Sequence, residues 1–174
     1  MTAPNAPEPR RFRAVGELLP HLQWVVAALL AGWGRDGIDA RIIETYRSIE
    51  RQDWLYASGR TRSGRLVTKV KGGDSMHNYR IAFDFAVFID GTPRWDIETP
   101  EVGDQWRRAG RLAEALGLEW GGSWPTFPDW GHVQLTGGIT NAQIKNATPE
   151  QINARLETYY RNHGFGRMVE TSLA

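Results

Sequence analysis

The feature that most constrains the fold is a nine-residue run, Ile81 to Ile89, apolar throughout except at Asp84. It is closed by Asp90-Gly91, a two-residue turn signal, and so predicts a buried β-strand leading into a hairpin. Its odd positions, Ile81, Phe83, Phe85, Val87 and Ile89, are all large and apolar. Asp84 stands on the opposite face between Ala82 and Ala86, because side chains alternate along a strand. A carboxylate in such surroundings is costly unless a cation pairs with it or a metal binds it.

Helical patterns surround this strand. The stretch Leu18 to Trp33 reads as a core-facing helix entered near Pro20 and closed by Gly32 and Gly34. Ala40 to Tyr46 reads as a short strand, and Ser48 caps a following helix with Arg51 or Gln52 in its first turn. Residues 59 to 74, rich in glycine and basic groups, predict a loop. Val102, Trp106, Ala109, Leu112, Ala113 and Leu116 recur at helical spacing before Gly117. Residues 119 to 131 read as a loop and His132 to Leu135 as a last strand. Thr148-Pro149-Glu150-Gln151 is a capping box that opens a helix to about Asn162.

Together these elements predict a single α+β domain, a small, mainly antiparallel sheet with helices packed on it. The expected organisation is a disordered N-terminal tail over 1–12, a main body over 13–147, and a C-terminal helix and tail over 148–174 packed on or extending the same domain. The N-terminus superficially imitates a signal peptide, but the uninterrupted apolar part, Trp24 to Ala31, is eight residues long, whereas a membrane span needs ~20. Stable membrane insertion is not expected.

The balance of 21 basic against 20 acidic residues leaves a formal charge of +1, which argues against a dedicated nucleic-acid binder. Cysteine is absent. That excludes disulfides, thiolate nucleophiles and cysteine-ligated metals, so any metal must be held by His, Asp or Glu. Of the four histidines, His21 and His163 fall at helix ends. His77, Asp84 and His132 each sit beside a strand, and two histidines with one carboxylate satisfy a catalytic zinc. The odd separation of His77 and Asp84 would point them to opposite faces of one strand, so the chain must turn or bulge between them. From spacing alone, an arginine paired with Asp84 and a hydrogen-bonded structural His132 explain the pattern as well.

The run Ser75-Met76-His77-Asn78-Tyr79-Arg80-Ile81-Ala82-Phe83-Asp84 resembles the S-x-H-x-x-G-x-A-x-D motif of the M15 zinc peptidases that cut peptidoglycan stem peptides. These include D-alanyl-D-alanine peptidases and the L-alanyl-D-glutamate endopeptidases of phage endolysins. Asp129-Trp130-Gly131-His132 resembles the family's acid-x-x-His motif, Trp120-Gly121-Gly122 its W-G-G loop, and Tyr46-Arg47-Ser48 with Gln52, Leu55, Tyr56, Gly59, Arg60 and Thr61 its upstream stretch. The resemblance implies His77, Asp84 and His132 as ligands of Zn2+, Asp129 as general base and acid, and Arg47 as the electrophilic residue. Ser75, Gln52, Trp120, Trp124 and Trp130 are expected to bind the substrate. Two departures stand out: Arg80 replaces the motif glycine, and Gly131 stands where endolysin relatives commonly carry proline.

An aspartate at position 129 favours L-Ala-D-Glu cleavage, since D-Ala-D-Ala-cutting relatives more often carry glutamate there. The rivals are a D-Ala-D-Ala carboxypeptidase or dipeptidase and a non-catalytic wall-binding zinc module. The resemblance also implies a monomer made in a host cytoplasm without a convincing signal peptide, released with holin help, and acting on peptidoglycan in the periplasm or wall.

Overall fold

The computed structural model describes residues 7–173. Strand β2 (Ala82–Ile89) is flanked by two antiparallel partners, β1 (Ala40–Glu44) and β5 (His132–Gln134). A two-residue β4 (Glu119–Trp120) extends the sheet beyond β5, giving the order β1-β2-β5-β4. The turn after β2 uses Asp90 and Gly91 in left-handed conformation, φ 51° and 73°, and returns the chain as β3 (Thr92–Pro93) on β2, as a two-residue hairpin turn requires.

Among the described residues six α-helices complete the domain: α1 (Pro20–Arg35), α2 (Ile49–Ala57), α3 (Pro100–Ala115), α4 (Asn141–Ile144), α5 (Pro149–His163) and α6 (Phe165–Leu173). The large face of β2 is the core. Ile81, Phe83, Phe85 and Val87 are fully buried, each worth about 1.5–3 kcal/mol in removed apolar surface. Phe85 packs between Trp33 of α1 and Trp106 of α3, with ring centroids 5.1 and 5.0 Å away. Both indoles satisfy their N–H groups on backbone carbonyls, Trp33 on Ala109 and Trp106 on Arg94. This is what lets large amphipathic rings sit in a dry core.

Several elements differ from the sequence expectation. Helix α1 runs through Gly32 and Gly34 to Arg35, and the left-handed residue is Gly37, φ 67°. Strand β1 stops at Glu44, two residues before Tyr46, because its register shifts there. Gly164, φ 73°, caps α5 and a further helix, α6, follows where a tail was expected. Residues 1–6 of the expected disordered tail lie outside the described residues. Residues 8–12 are instead held against the body: Arg51 bonds Glu8 and the Pro9 carbonyl, and the Thr45 N–H bonds the Phe12 carbonyl at 2.8 Å. Among the described residues, no helix is long and apolar enough to cross a membrane.

Candidate active site

The site begins with a one-residue irregularity. Ile42 pairs with Phe85, but Glu44 pairs with Asp84, so Ile43 is extra in β1. A bulge of this kind moves every following side chain to the other face. Glu44 thereby leaves the core side and stands beside Asp84, which is paired on its other flank with His132. Two carboxylates directly opposite one another repel. Arg47 resolves this, since its Nη2 lies 2.8 Å from both Glu44 Oε2 and Asp84 Oδ2. Its Nη1 donates to Gln52 Oε1 at 2.9 Å, while Arg51 Nε holds the other oxygen of Glu44.

His77 lies in a 3₁₀ turn, Met76–Tyr79, just ahead of β2. The turn is closed by Arg80 in left-handed conformation, φ 62°, a region that glycine occupies at less cost. Arg80 is held there by Glu17, whose carbonyl and carboxylate accept from its guanidinium at 2.7 and 3.0 Å, and by stacking over Tyr46. Its own carbonyl accepts from Leu19 N–H. The departure from the family glycine is therefore accommodated by contacts from the start of the chain, and the turn that the odd His77–Asp84 spacing requires is this one.

The outer ring nitrogens decide what the inner ones can do. His77 Nδ1 faces the Thr45 carbonyl at 2.6 Å, an oxygen that only accepts, so the ring proton is on Nδ1. His132 Nε2 faces Gln134 Oε1 at 3.0 Å, and Gln134 is oriented by donating its own amide to Glu119. His77 Nε2, His132 Nδ1 and Asp84 Oδ1 then meet as three acceptors, separated by 3.1, 3.2 and 3.2 Å. Such a triangle needs a positive charge at its centre. Tetrahedral coordination with bonds of ~2.0–2.1 Å separates ligand atoms by roughly 3.3–3.4 Å. The donor set and its spacing fit a metal cation of that size, with outer partners that set each tautomer.

Electrostatics agree with that demand for positive charge. Burial acts to raise the Asp84 pKa, but when protons rather than a metal occupy that centre, the charge of His77, hydrogen bonds from both histidines and the charge of Arg47 hold it well below the usual carboxylate range. Burial likewise opposes protonation of His132, and the hydrogen bond and charge of Asp84 outweigh it, raising its pKa. A metal would compete with this proton for the same place.

Asp129 opens onto the same cleft. Loss of water inside the cleft and the charge of Asp84 push its pKa up, against the pull of His132, His77 and Arg47. The loop that carries it is folded tightly: Asp129 N–H bonds the Gly121 carbonyl at 3.0 Å and the His132 N–H bonds Asp129 O at 3.1 Å. A Cβ on Gly121 would stand 2.5 Å from Asp129 O. Trp120 supports the loop from below, lodged where side chains on Gly110 and Gly122 would be, and donates to Trp130 O at 2.9 Å. This is the packing reason for the Trp-Gly-Gly sequence.

The cleft, about 840 Å³, brings together Arg47, Ser75, His77, Asp84, Trp124, Asp129 and His132. Trp124 leans on His132 with ring centroids 5.4 Å apart. Three expected groove residues take other places. Trp120 is 5% exposed and belongs to the core. Trp130 packs edge-on against Trp120 and is not part of the cleft wall. Gln52 is fully buried, gripping Arg47 and donating to Thr68 and the Val70 carbonyl. The sequence reading missed Glu44 and Arg51, and it missed Trp95 and Phe127, exposed aromatics on the cleft wall. A charge inside the β-branched run at 40–46 and the Arg47–Arg51 helical spacing were the available signals for the first pair.

A family profile described as D-alanyl-D-alanine carboxypeptidase, one of the M15 peptidases, matches residues 68–135. The chain is 41% identical over 123 residues to the peptidoglycan L-alanyl-D-glutamate endopeptidase CwlK of Bacillus subtilis (strain 168), a match covering 68% of this chain and 74% of that protein. The chain belongs to the M15 peptidase family. This M15 peptidase is also 31% identical over 126 residues to an L-alanyl-D-glutamate peptidase of Listeria phage A118, covering 72% of the chain but 41% of the phage protein. A crystal structure of the Serratia marcescens L-Ala D-Glu endopeptidase ChiX aligns with a TM-score of 0.47 at 28% identity, covering 76% of this chain and 94% of that one.

Proposed function

We propose that this M15 peptidase is a zinc-dependent peptidoglycan endopeptidase that hydrolyses the L-Ala-D-Glu bond of the stem peptide, in the manner of an endolysin. The observation that carries the reading is the convergence of three lone-pair donors, from His77, Asp84 and His132, beside an unligated acid, Asp129, in one cleft. A purely structural metal site has no use for that acid. Identity to two relatives named for L-alanyl-D-glutamate cleavage selects the bond.

His77, Asp84 and His132 would hold the zinc, which supplies Lewis acidity toward the scissile carbonyl and a more acidic bound water. Asp129 accepts the water proton as attack begins and delivers it to the departing D-Glu nitrogen. Arg47 orients Asp84, and its guanidinium, which borders the cleft, is the cation available to the developing oxyanion or a substrate carboxylate. Ser75 and Trp124 border the bound peptide, joined by Trp95 and Phe127. Residues 13–147 form the catalytic body, which the C-terminal helices complete. The monomer, holin-dependent release and action in the periplasm or wall belong to the same reading.

Digestion of purified peptidoglycan with end-group analysis tests it. New N-terminal D-Glu is expected, abolished by a chelator and restored by zinc. Free D-Ala as the product would replace this reading with the carboxypeptidase activity named in the family description.

A further inference from the structure

We propose that the N-terminal segment Glu8–Phe12 is a positioning strap for the active site, an inference that rests on the metallopeptidase reading above. Two lines of contact leave this one segment and end on two different ligand side chains. One is ionic. Arg51 is 1% exposed, and a guanidinium so buried needs its charge balanced and its donors filled. Glu8 supplies part of that: its Oε1 lies 2.8 Å from Arg51 Nη1, which also donates to Pro9 O at 3.1 Å. Arg51 in turn holds Glu44, Glu44 holds Arg47, and Arg47 holds Asp84. Charges alternate along the whole series, Glu8, Arg51, Glu44, Arg47, Asp84.

The other line runs through the backbone. Phe12 O accepts the Thr45 N–H at 2.8 Å, and the carbonyl of the same Thr45 accepts from His77 Nδ1 at 2.6 Å. The Phe12 ring packs on Tyr46 at 5.2 Å and carries the Arg10 guanidinium over its face. Thr45 and Tyr46 follow the bulge directly, in chain that has already left the strand ladder. The strap provides the hydrogen bond that the sheet no longer provides there.

The consequence is a division of labour within the ligand set. His132 is held by its own strand and Gln134, whereas Asp84 and His77 depend on groups reached by the strap. Without Glu8, Arg51 keeps, among the described residues, Glu44 and the Pro9 carbonyl, so Glu44 is drawn toward Arg51 and away from Arg47. The Asp84 carboxylate then loses the fixed partner that aims its other oxygen at the histidines. Glu8 touches no reacting atom and acts only through this series.

The test uses the full chain with Glu8→Ala, Glu8→Asp and, as a control on the same segment, Arg11→Ala. Removing a direct outer partner of a metal ligand costs about 10–100-fold in affinity or activity. Glu8 stands further out, so zinc affinity by chelator competition and kcat on a wall peptide are each expected to fall by about 3–10-fold in Glu8→Ala, with KM within about twofold. Glu8→Asp is expected to recover much of the loss, and Arg11→Ala, which removes only a surface partner of Glu8, to behave as wild type. Amide exchange at Thr45 reads the strap without metal or substrate and is expected to quicken in Glu8→Ala. Wild-type affinity and kcat in Glu8→Ala, or unchanged Thr45 exchange, overturn the proposal. An equal loss in Glu8→Asp with a lowered melting temperature also overturns it, in favour of plain structural support. A wild type that neither binds zinc nor cuts wall peptides instead sinks the functional reading, and the Thr45 exchange still decides the strap.

Discussion

Strand β2 shows two kinds of order on its two faces. On one, Ile81, Phe83, Phe85 and Val87 are buried in the core, Phe85 between Trp33 of α1 and Trp106 of α3, and many apolar residues of similar volume would serve there. On the other, the small Ala82 and Ala86 flank a single carboxylate whose neighbours are specified atom by atom: Arg47 on one oxygen, two imidazole nitrogens on the other. The first face is held by area and tolerates approximate fits. The second is held by directed contacts: Arg47 donates to one oxygen, and the other faces two imidazole nitrogens across the place a cation would take. The difference locates stability on one face and chemistry on the other.

Substitutions on the two faces should therefore separate cleanly. On the site face, Asp129→Asn is expected to lower the hydrolysis rate by about 10²–10⁴-fold while metal content stays at the wild-type level. Steady-state kinetics with metal analysis check both halves, and an active variant would remove Asp129 from the mechanism. On the core face, Phe83→Ala should cost about 3–5 kcal/mol of unfolding free energy, measured by urea titration, with any surviving folded fraction still binding metal. An equal loss of stability in both variants would erase the division drawn above.

The pH dependence sharpens the site side. The Asp129 pKa is raised by loss of water and by Asp84, and the base form must be present for water activation. Activity is thus lost as pH falls through the Asp129 pKa, and in the metal-free protein this carboxyl should titrate above the range of a free aspartate, read by NMR. The same shift has a stability counterpart. A carboxyl with a raised folded-state pKa contributes stability that is present below its unfolded pKa and lost as pH rises through the folded one. Asp129→Asn should accordingly melt no lower than wild type at neutral pH, and a marked drop would show that the charge supports the fold.

The smallest effect is expected at Arg80→Gly. Glycine relieves the left-handed backbone at φ 62°, but it gives up the Glu17 pairing and the cover over Tyr46 and adds freedom to the unfolded chain. These terms oppose, so the melting free energy should shift by about 1 kcal/mol or less. A much larger loss would mean that Arg80 has become a structural tie between the chain start and the histidine turn.

Much of this was legible in the residues. The alternation along 81–89 marked both faces of β2, and the Asp90-Gly91 turn and the Thr148 capping box appear where their chemistry requires. The absence of cysteine left His and carboxylate as the metal donors, and the odd spacing of His77 and Asp84 demanded a turn, which the structure forms at Met76–Arg80. The tryptophans were harder, because burial depends on what lies across the fold: Trp120 needs Gly110 on α3 and Gly122 in its own loop before it can sink into the core.

Local pattern, in short range along the chain, located the helices and strands apart from β4, α4 and α6, and showed which face of β2 is apolar and that a paired or metal-bound carboxylate stands at position 84. What the tertiary structure decided is the company that carboxylate keeps. The bulge at Ile43 turned Glu44 toward Asp84, the repulsion between the two drew in Arg47, and Arg51 and Glu8 completed the balance of charge. No period in the sequence encodes this, because hydrophobic alternation is a property of neighbours along one chain segment, whereas the charge balance of a buried site is summed over segments that meet only in three dimensions.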